Sequence, residues 1–282
     1  MIGLFDSGHG GLTIFRSLVE RFPDLKFTYL GDHANAPYGN RPSDEIVDLT
    51  RAGMEQLYGR GCKLVVLACN TATAIACRTL QQDWLPNSPH EGCNILGVVA
   101  PMVEAATQTP WAVTTPQYPQ KYNTGTIGVF GTHRTIASGV YSEEIRKRCP
   151  KIVVIEQDCP NLVTAIEGGT REDEVDSMIA DYVAAMLERA NGDTPERVIL
   201  GCTHYPLVEH LFVRHLPAST RILSQPAVVA DSLEDYLTRH SAYASPRDAD
   251  HIPLLLTTSD PRAVEASLDT FWPGQHRFEY TG

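Results

Sequence analysis

Two cysteines stand where a parallel α/β chain places its chemistry. Residues 64–68 form an apolar run that ends at Cys69, followed by Asn70, Thr71 and an alanine-rich segment. Residues 197–201 end in the same way at Cys202, followed by Thr203 and His204. Each pattern predicts a buried parallel strand, a turn and a helix start. The cysteine then sits at the carboxyl end of its strand, where open α/β sheets bind their ligands. One thiol in such a place suggests a nucleophile. Two thiols facing each other across a cleft suggest something more specific. A thiolate removes a proton from one face of a carbon and a thiol delivers a proton to the other, so the configuration inverts. The reverse reaction exchanges the roles, and a nearly symmetric site is expected.

The sequence carries a source for that symmetry. IGLFDSG at 2–8 matches IGVFGT at 127–132, in the same order as the two cysteine segments and at a similar offset. An internal repeat of two βα halves follows. If the halves face each other about an approximate two-fold axis, Cys69 and Cys202 approach one cleft from opposite sides.

A sulfur base must be partly ionised when it acts. A free cysteine titrates near about 8.5, and a helix N-terminus or a polar partner lowers that value. Both cysteines precede an expected helix start. The candidate polar partners are Asp6 for Cys69, and His204 or Glu167 for Cys202, each placed to orient the thiol and balance its proton. Asn70, Thr71, Thr203 and nearby backbone N–H groups would hold a carboxylate and stabilise negative charge that develops in the transition state. Bland readings compete at each position. A strand-end cysteine is more often packing than catalyst, His204 could be a hydrogen-bonded structural histidine, and Glu167, before Gly168 and Gly169, could simply close a helix. Cys202 and His204 could form half a zinc site with Cys159, although no second short-spaced ligand pair is present. A pyridoxal phosphate route would need a lysine at the carboxyl end of a strand, and none of Lys26, Lys63, Lys121, Lys147 and Lys151 falls there. A cofactor-independent, metal-independent route fits better.

Composition bounds the rest. A length of 282 residues makes two domains the prior, and 43% hydrophobic content supports a real core. The net charge of −11 argues against nucleic-acid and anionic-membrane surfaces. The chain opens almost directly on an apolar strand, with no basic region leading a long apolar stretch, so a cytoplasmic location is expected. The seven cysteines are odd in number, irregular in spacing and without a CxxC, and read as free thiols, most of them buried.

The elements alternate along most of the chain, which predicts two doubly wound domains with mainly parallel sheets. Asp6-Ser7-Gly8-His9-Gly10-Gly11 turns the chain into a helix over 12–21. It lacks both GxGxxG and the Lys-Ser/Thr of a phosphate loop, so a tight turn is preferred to a phosphate site. Ala36-Pro37-Tyr38-Gly39-Asn40 is turn chemistry, and Ser43 is an expected N-cap for the next helix. A single helix is expected over 134–148. Another, with Val175, Ile179, Val183 and Met186 on its apolar stripe, is expected over 172–190. Residues 108–124, with Pro110, Pro116 and Pro119, show no periodicity and predict an excursion between domains or a surface loop.

FDSGHGGL at 5–12, PYGN at 37–40, ACNTATA at 68–74, the Gly131-Thr132, Ser138-Gly139 and Tyr141 pattern, and GCTHYPL at 201–207 together resemble the bacterial glutamate racemases of the aspartate/glutamate racemase superfamily. VVADSL and TTSDP near the C-terminus are similar to that family too. The resemblance implies cofactor-independent interconversion of L- and D-glutamate, supplying D-glutamate to peptidoglycan. It implies Cys69 and Cys202 as the acid/base pair, assisted by Asp6 and His204. Asp6, Ser7, Tyr38, Gly39, Asn70, Thr71, Thr132, Thr203 and His204 are implied as substrate contacts. Glu167 falls near the family's VEEG element, which here reads AIEGG. The resemblance also implies a first domain of residues 1–97 plus 208–282, a second of 98–207, and a homodimer. The rival readings are a racemase for aspartate or a hydantoin, a catalytically silent regulatory module, and a thiol redox protein.

Overall fold

Leu64, Val65, Val66 and Leu67 are all buried, the signature of a strand covered on both faces. The same reasoning extends to the other short apolar runs of the chain. A computed structural model describes residues 1–122, 124–244, 252–274 and 276–281. Numbered along the chain, its strands are β1 (Ile2–Asp6), β2 (Phe27–Gly31), β3 (Leu64–Leu67), β4 (Asn94–Gly97), β5 (Gly125–Gly131), β6 (Ile152–Asp158), β7 (Arg197–Gly201), β8 (Arg221–Leu223), β9 (Leu254–Thr257) and β10 (Phe278–Tyr280).

The strands form two sheets, and each strand pair described is parallel. The first sheet has the order β10-β9-β2-β1-β3-β4, the second β6-β5-β7-β8. The expected repeat is visible in that order. The run 2-1-3-4 in one sheet corresponds strand for strand to 6-5-7-8 in the other. Phe5 pairs with Leu67 just as Phe130 pairs with Leu200. Cys69 and Cys202 therefore occupy corresponding positions, each following the strand beside its sheet's β1-type strand.

The chain divides into two compact units, Met1–Val98 with Val229–Gly282, and Val99–Val228. The sequence expectation assigned residues 208–228 to the first unit. They belong to the second, because β8 pairs with β7 over Arg197, Val198 and Ile199. In the second unit the alternation of each strand feeds two separate apolar layers. Val198 and Leu200 pack with the helix Glu172–Arg189, through Ile179, Val183 and Met186. Ile199 and Val129 point to the other face and pack with Met102, Val103, Tyr141 and Ile145. A sheet with helices on both faces is the doubly wound architecture expected.

Two local expectations are corrected. Ser43 is the first helical residue rather than the cap; Pro42 holds that position, and no side chain caps the helix Ser43–Gly59. The single helix expected over 134–148 is two, His133–Ala137 and Val140–Arg148, divided at Gly139, whose φ of +65° suits glycine. The excursion near 108–124 is anchored to the second unit by two arginines. Arg148 donates to the Trp111 carbonyl at 2.5 Å and stacks over its ring, and Arg197 stacks over Tyr122 at 3.3 Å. Asn123 lies outside the described residues. Among the described residues, no helix is long and apolar enough to cross a membrane.

In the first unit, Gly53 lets the helix Ser43–Gly59 approach β1. A Cβ at that position would lie 2.2 Å from Phe5 Cε2. Replacing Gly53 with alanine is expected to overpack this contact and lower stability by about 1–3 kcal/mol. Urea unfolding followed by circular dichroism measures it, and a midpoint equal to wild type would show that the contact yields freely.

Candidate functional site

In the first unit the site residues collect because three parallel strands end together. The β1 end, Asp6, pairs with Gly31 of β2, and Phe5 pairs with Leu67 of β3. The backbone continues that register beyond the strands, with Ala68 N–H donating to Phe5 O at 2.8 Å and Asp32 N–H to Asp6 O at 2.9 Å. Asp6 with Ser7, Asp32, and Cys69 thus leave one edge of the sheet side by side.

Cys69 is extended, with ψ of 119°, and caps the helix Asn70–Thr79. Its sulfur accepts the Ala72 N–H at 3.4 Å, and its thiol reaches Ser7 Oγ at 3.5 Å. An N–H donor and the positive end of a helix both favour negative charge at that sulfur. Asn70 and Thr71 open the helix and are buried. Asp6 is fully buried, and its Oδ1 accepts the Gly8 N–H at 2.9 Å. Gly11 packs directly over it, since a Cβ there would meet Asp6 Cβ at 2.5 Å. Tyr38 and Gly39 lie in the short turn Tyr38–Asn40; Tyr38 is buried and Gly39 half-buried. Burial, joined by the Asp32 charge and hydrogen bond, raises the Tyr38 phenol above its ordinary value, so it stays protonated.

The sequence reading missed Asp32. It closes β2 as Asp6 closes β1, and it is 4% exposed. Its carboxylate accepts the Tyr38 hydroxyl at 2.6 Å and the Asn35 amide at 3.0 Å. The available signal was a carboxylate two residues past the strand-like run at 26–30. It was absorbed into a loop read as turn chemistry alone.

In the second unit the partner arrangement differs. Gly131 pairs with Gly201, so Thr132 and Cys202 leave neighbouring strands side by side. Thr132 caps the helix His133–Ala137, with its Oγ1 3.1 Å from Thr135 Oγ1. Cys202 does not cap an α-helix as expected. The polar pair Thr203 and His204, both buried, leads into a tight turn over Tyr205–Val208 that contains Pro206, and the helix Glu209–His215 begins only afterwards. Cys202 Sγ instead lies 3.7 Å from His204 Nδ1. The other ring nitrogen, Nε2, is 2.7 Å from Glu167 Oε1. Glu167 is the last residue of the helix Leu162–Glu167, so it both closes a helix and meets the histidine.

The charge balance around His204 follows from this chain of contacts. Burial alone would push the ring's pKa down. Hydrogen bonds to Cys202 and Glu167, with their charges, outweigh burial and push it up to about 10. The imidazolium therefore persists at neutral pH, stabilised on both sides. Burial outweighs the partners of two other thiols: Cys62 is pushed up to about 11 and Cys77 to about 12. Cys159 is raised by burial as well. These are packing residues, held as neutral thiols. Among the described residues, no group of three or more His, Cys, Asp or Glu could hold a metal ion.

The chain is similar to known proteins over nearly its whole length. A family model described as Asp/Glu/Hydantoin racemase matches residues 10–232. A protein named glutamate racemase from Phenylobacterium zucineum (strain HLK1) is 46% identical over 282 residues, covering 99% of this chain and 99% of its own. One of the same name from Caulobacter sp. (strain K31) is also 46% identical, with the same coverage. A solved structure of a glutamate racemase isoform from Bacillus anthracis superposes with a TM-score of 0.83 at 26% identity, covering 100% of this chain and 97% of its own.

The His204 charge is directly measurable. Titration of its ring protons by NMR should give a midpoint near 10 in the native chain. Glu167→Gln removes the carboxylate partner while burial still acts, so the midpoint should fall by at least about one unit. The stability this charge contributes is fully present below the unfolded histidine value of about 6.5 and is lost as the pH rises through the folded value of about 10. An unchanged midpoint in the variant would remove Glu167 from this role.

Proposed function

The chain belongs to the Asp/Glu/hydantoin racemase family, and on that premise we propose that it interconverts L- and D-glutamate with Cys69 and Cys202 as a paired acid and base. One observation carries the reading: the two sheets share a strand order, and each ends the corresponding strand on a cysteine with polar company. Packing alone gives no reason to repeat a thiol at that position.

In each direction one sulfur is a thiolate and the other a thiol. The thiolate takes the α-proton; the Cα–H bond breaks, an S–H bond forms, and the electron pair moves toward the α-carboxylate. The second thiol then gives its proton to the opposite face and becomes the thiolate. Atoms and charge balance within the pair, so no oxidant, reductant or cofactor is consumed. The enzyme ends the turnover poised for the reverse direction.

The two sulfurs are served differently. Ser7 and the Ala72 N–H are the partners of Cys69, with Asp6 preceding Ser7 at the end of β1. The His204 imidazolium, backed by Glu167, stands against Cys202 and can balance its charge or supply its proton. Asn70, Thr71, Thr203 and neighbouring N–H groups would hold the substrate carboxylates, with Ser7, Tyr38, Gly39 and Thr132 as further contacts. In this reading the enzyme works in the cytoplasm as a homodimer and supplies D-glutamate to peptidoglycan synthesis.

Each glutamate enantiomer, incubated in deuterium oxide, should acquire solvent deuterium at the α-carbon as its circular dichroism decays. Cys69→Ser and Cys202→Ser should each slow racemisation by at least about a hundredfold, the lower end of what a positioned acid or base contributes. Full-speed turnover by either variant would refute the two-thiol mechanism. Loss of optical signal from aspartate but not from glutamate would overturn the substrate, since one methylene is worth only about 1–3 kcal/mol of discrimination.

A further inference from the structure

Asp32 is a buried carboxylate whose described partners are all neutral. Its Oδ2 accepts the Tyr38 hydroxyl at 2.6 Å, its Oδ1 accepts the Thr258 hydroxyl at 2.7 Å, and the Asn35 amide spans both oxygens at 3.0 and 3.2 Å. A buried charge held this way depends on its donors, because each one lost leaves an oxygen shielded from bulk water with one hydrogen bond fewer.

Thr258 comes from a distant part of the sequence. It follows β9, which pairs with β2 so that Thr257 stands opposite Gly31. The pairing runs one step further, with Thr258 N–H donating to Gly31 O at 3.3 Å. The Thr258 hydroxyl both gives and receives: it donates to Asp32 and accepts the Ala34 N–H at 3.1 Å. Next to it, Thr257 Oγ1 lies 2.9 Å from His33 Nδ1. The two threonines thus grip the turn that begins the 32–41 segment. Its far end carries Tyr38, whose ring packs against Phe5 and whose hydroxyl ends the same relay. From Ala34 N–H through Thr258 and Asp32 to Tyr38, the hydrogen bonds form one connected chain, and such chains strengthen one another.

We propose that Thr258 is a positioning residue for the reaction, fixing Tyr38 in its substrate-facing place by way of the Asp32 carboxylate. This rests on the reading that Tyr38 meets the substrate. Nothing in the local sequence of the 32–41 segment supplies the third donor that Asp32 needs. The C-terminal segment supplies it, which gives that segment a part in substrate recognition although it carries none of the expected substrate contacts.

The test compares Thr258→Val, which keeps the shape and removes the hydroxyl, with Thr258→Ser, which keeps the hydroxyl. The valine variant should raise KM for glutamate about fivefold, the effect of one lost hydrogen bond to a charged group partly replaced by water. Its kcat should change less than about twofold, because both thiols are untouched. The serine variant should restore KM. Amide hydrogen exchange over 32–41 should be faster in the valine variant and near wild type in the serine one. Wild-type KM in the valine variant overturns the proposal, even if exchange is faster, because Thr258 would then be a structural clamp only. If wild type racemises aspartate in place of glutamate, the substrate reading fails while the same KM comparison, run on aspartate, still decides this one. If wild type turns over neither, calorimetric binding of glutamate takes the place of KM: a weaker Kd in the valine variant restored by serine sustains the positioning, and an unchanged Kd sinks it.

Discussion

The structure depends on where parallel strands stop. Neighbouring strands in register end together, and the chain beyond them must turn at one edge of the sheet. In the first unit this brings Asp6, Asp32 and Cys69 out side by side; in the second it does the same for Thr132 and Cys202. A slip of one residue in β3 or β7 would turn the cysteine to the other face of its sheet. The burial of both faces makes that slip costly, so the same apolar pairing that stabilises the sheets also aims the sulfurs.

Around that shared frame the two thiols are supported by different physics. Cys69 sits in the field of a helix N-terminus and accepts a backbone donor. Cys202 lacks a helix at that point and uses a side-chain relay, with His204 against the sulfur and Glu167 behind it. A racemase must run in both directions, but its substrate is not symmetric, and the two sulfurs need not be held by the same means. The repeat fixes position; the local sequence after each strand decides how charge at that position is managed.

Some buried polar groups within the units take their partners from distant parts of the chain. Asp32 takes Thr258 from the C-terminal segment. Arg148, buried in the second unit, holds Glu144 at 2.8 Å on one side and the Trp111 carbonyl on the other. The Asp32–Thr258 and Arg148–Trp111 contacts close segments that are far apart in the chain onto the sheet they serve. They explain why an aperiodic, proline-rich stretch near 108–122 can still have a defined place: two guanidinium groups stack on its aromatic rings.

The sequence by itself determined the strand–cysteine pattern, the repeat, the parallel α/β class and the apolar stripe of the long helix, because each is written in periodicity over a few neighbouring residues. It named Cys69, Cys202 and His204 by their place at strand ends. It offered two readings for Glu167, and only the tertiary structure brought that carboxylate to His204, thirty-odd residues of chain away. The assignment of 208–228, the break at Gly139 and the absence of a helix cap at Cys202 were likewise decided in three dimensions. Strand pairing, left-handed backbone and a proline turn depend on what lies alongside, and local pattern does not report it. The same holds for Asp32 and Thr258: a carboxylate in a polar loop looks like turn chemistry until the strand that brings its hydroxyl partner is in place.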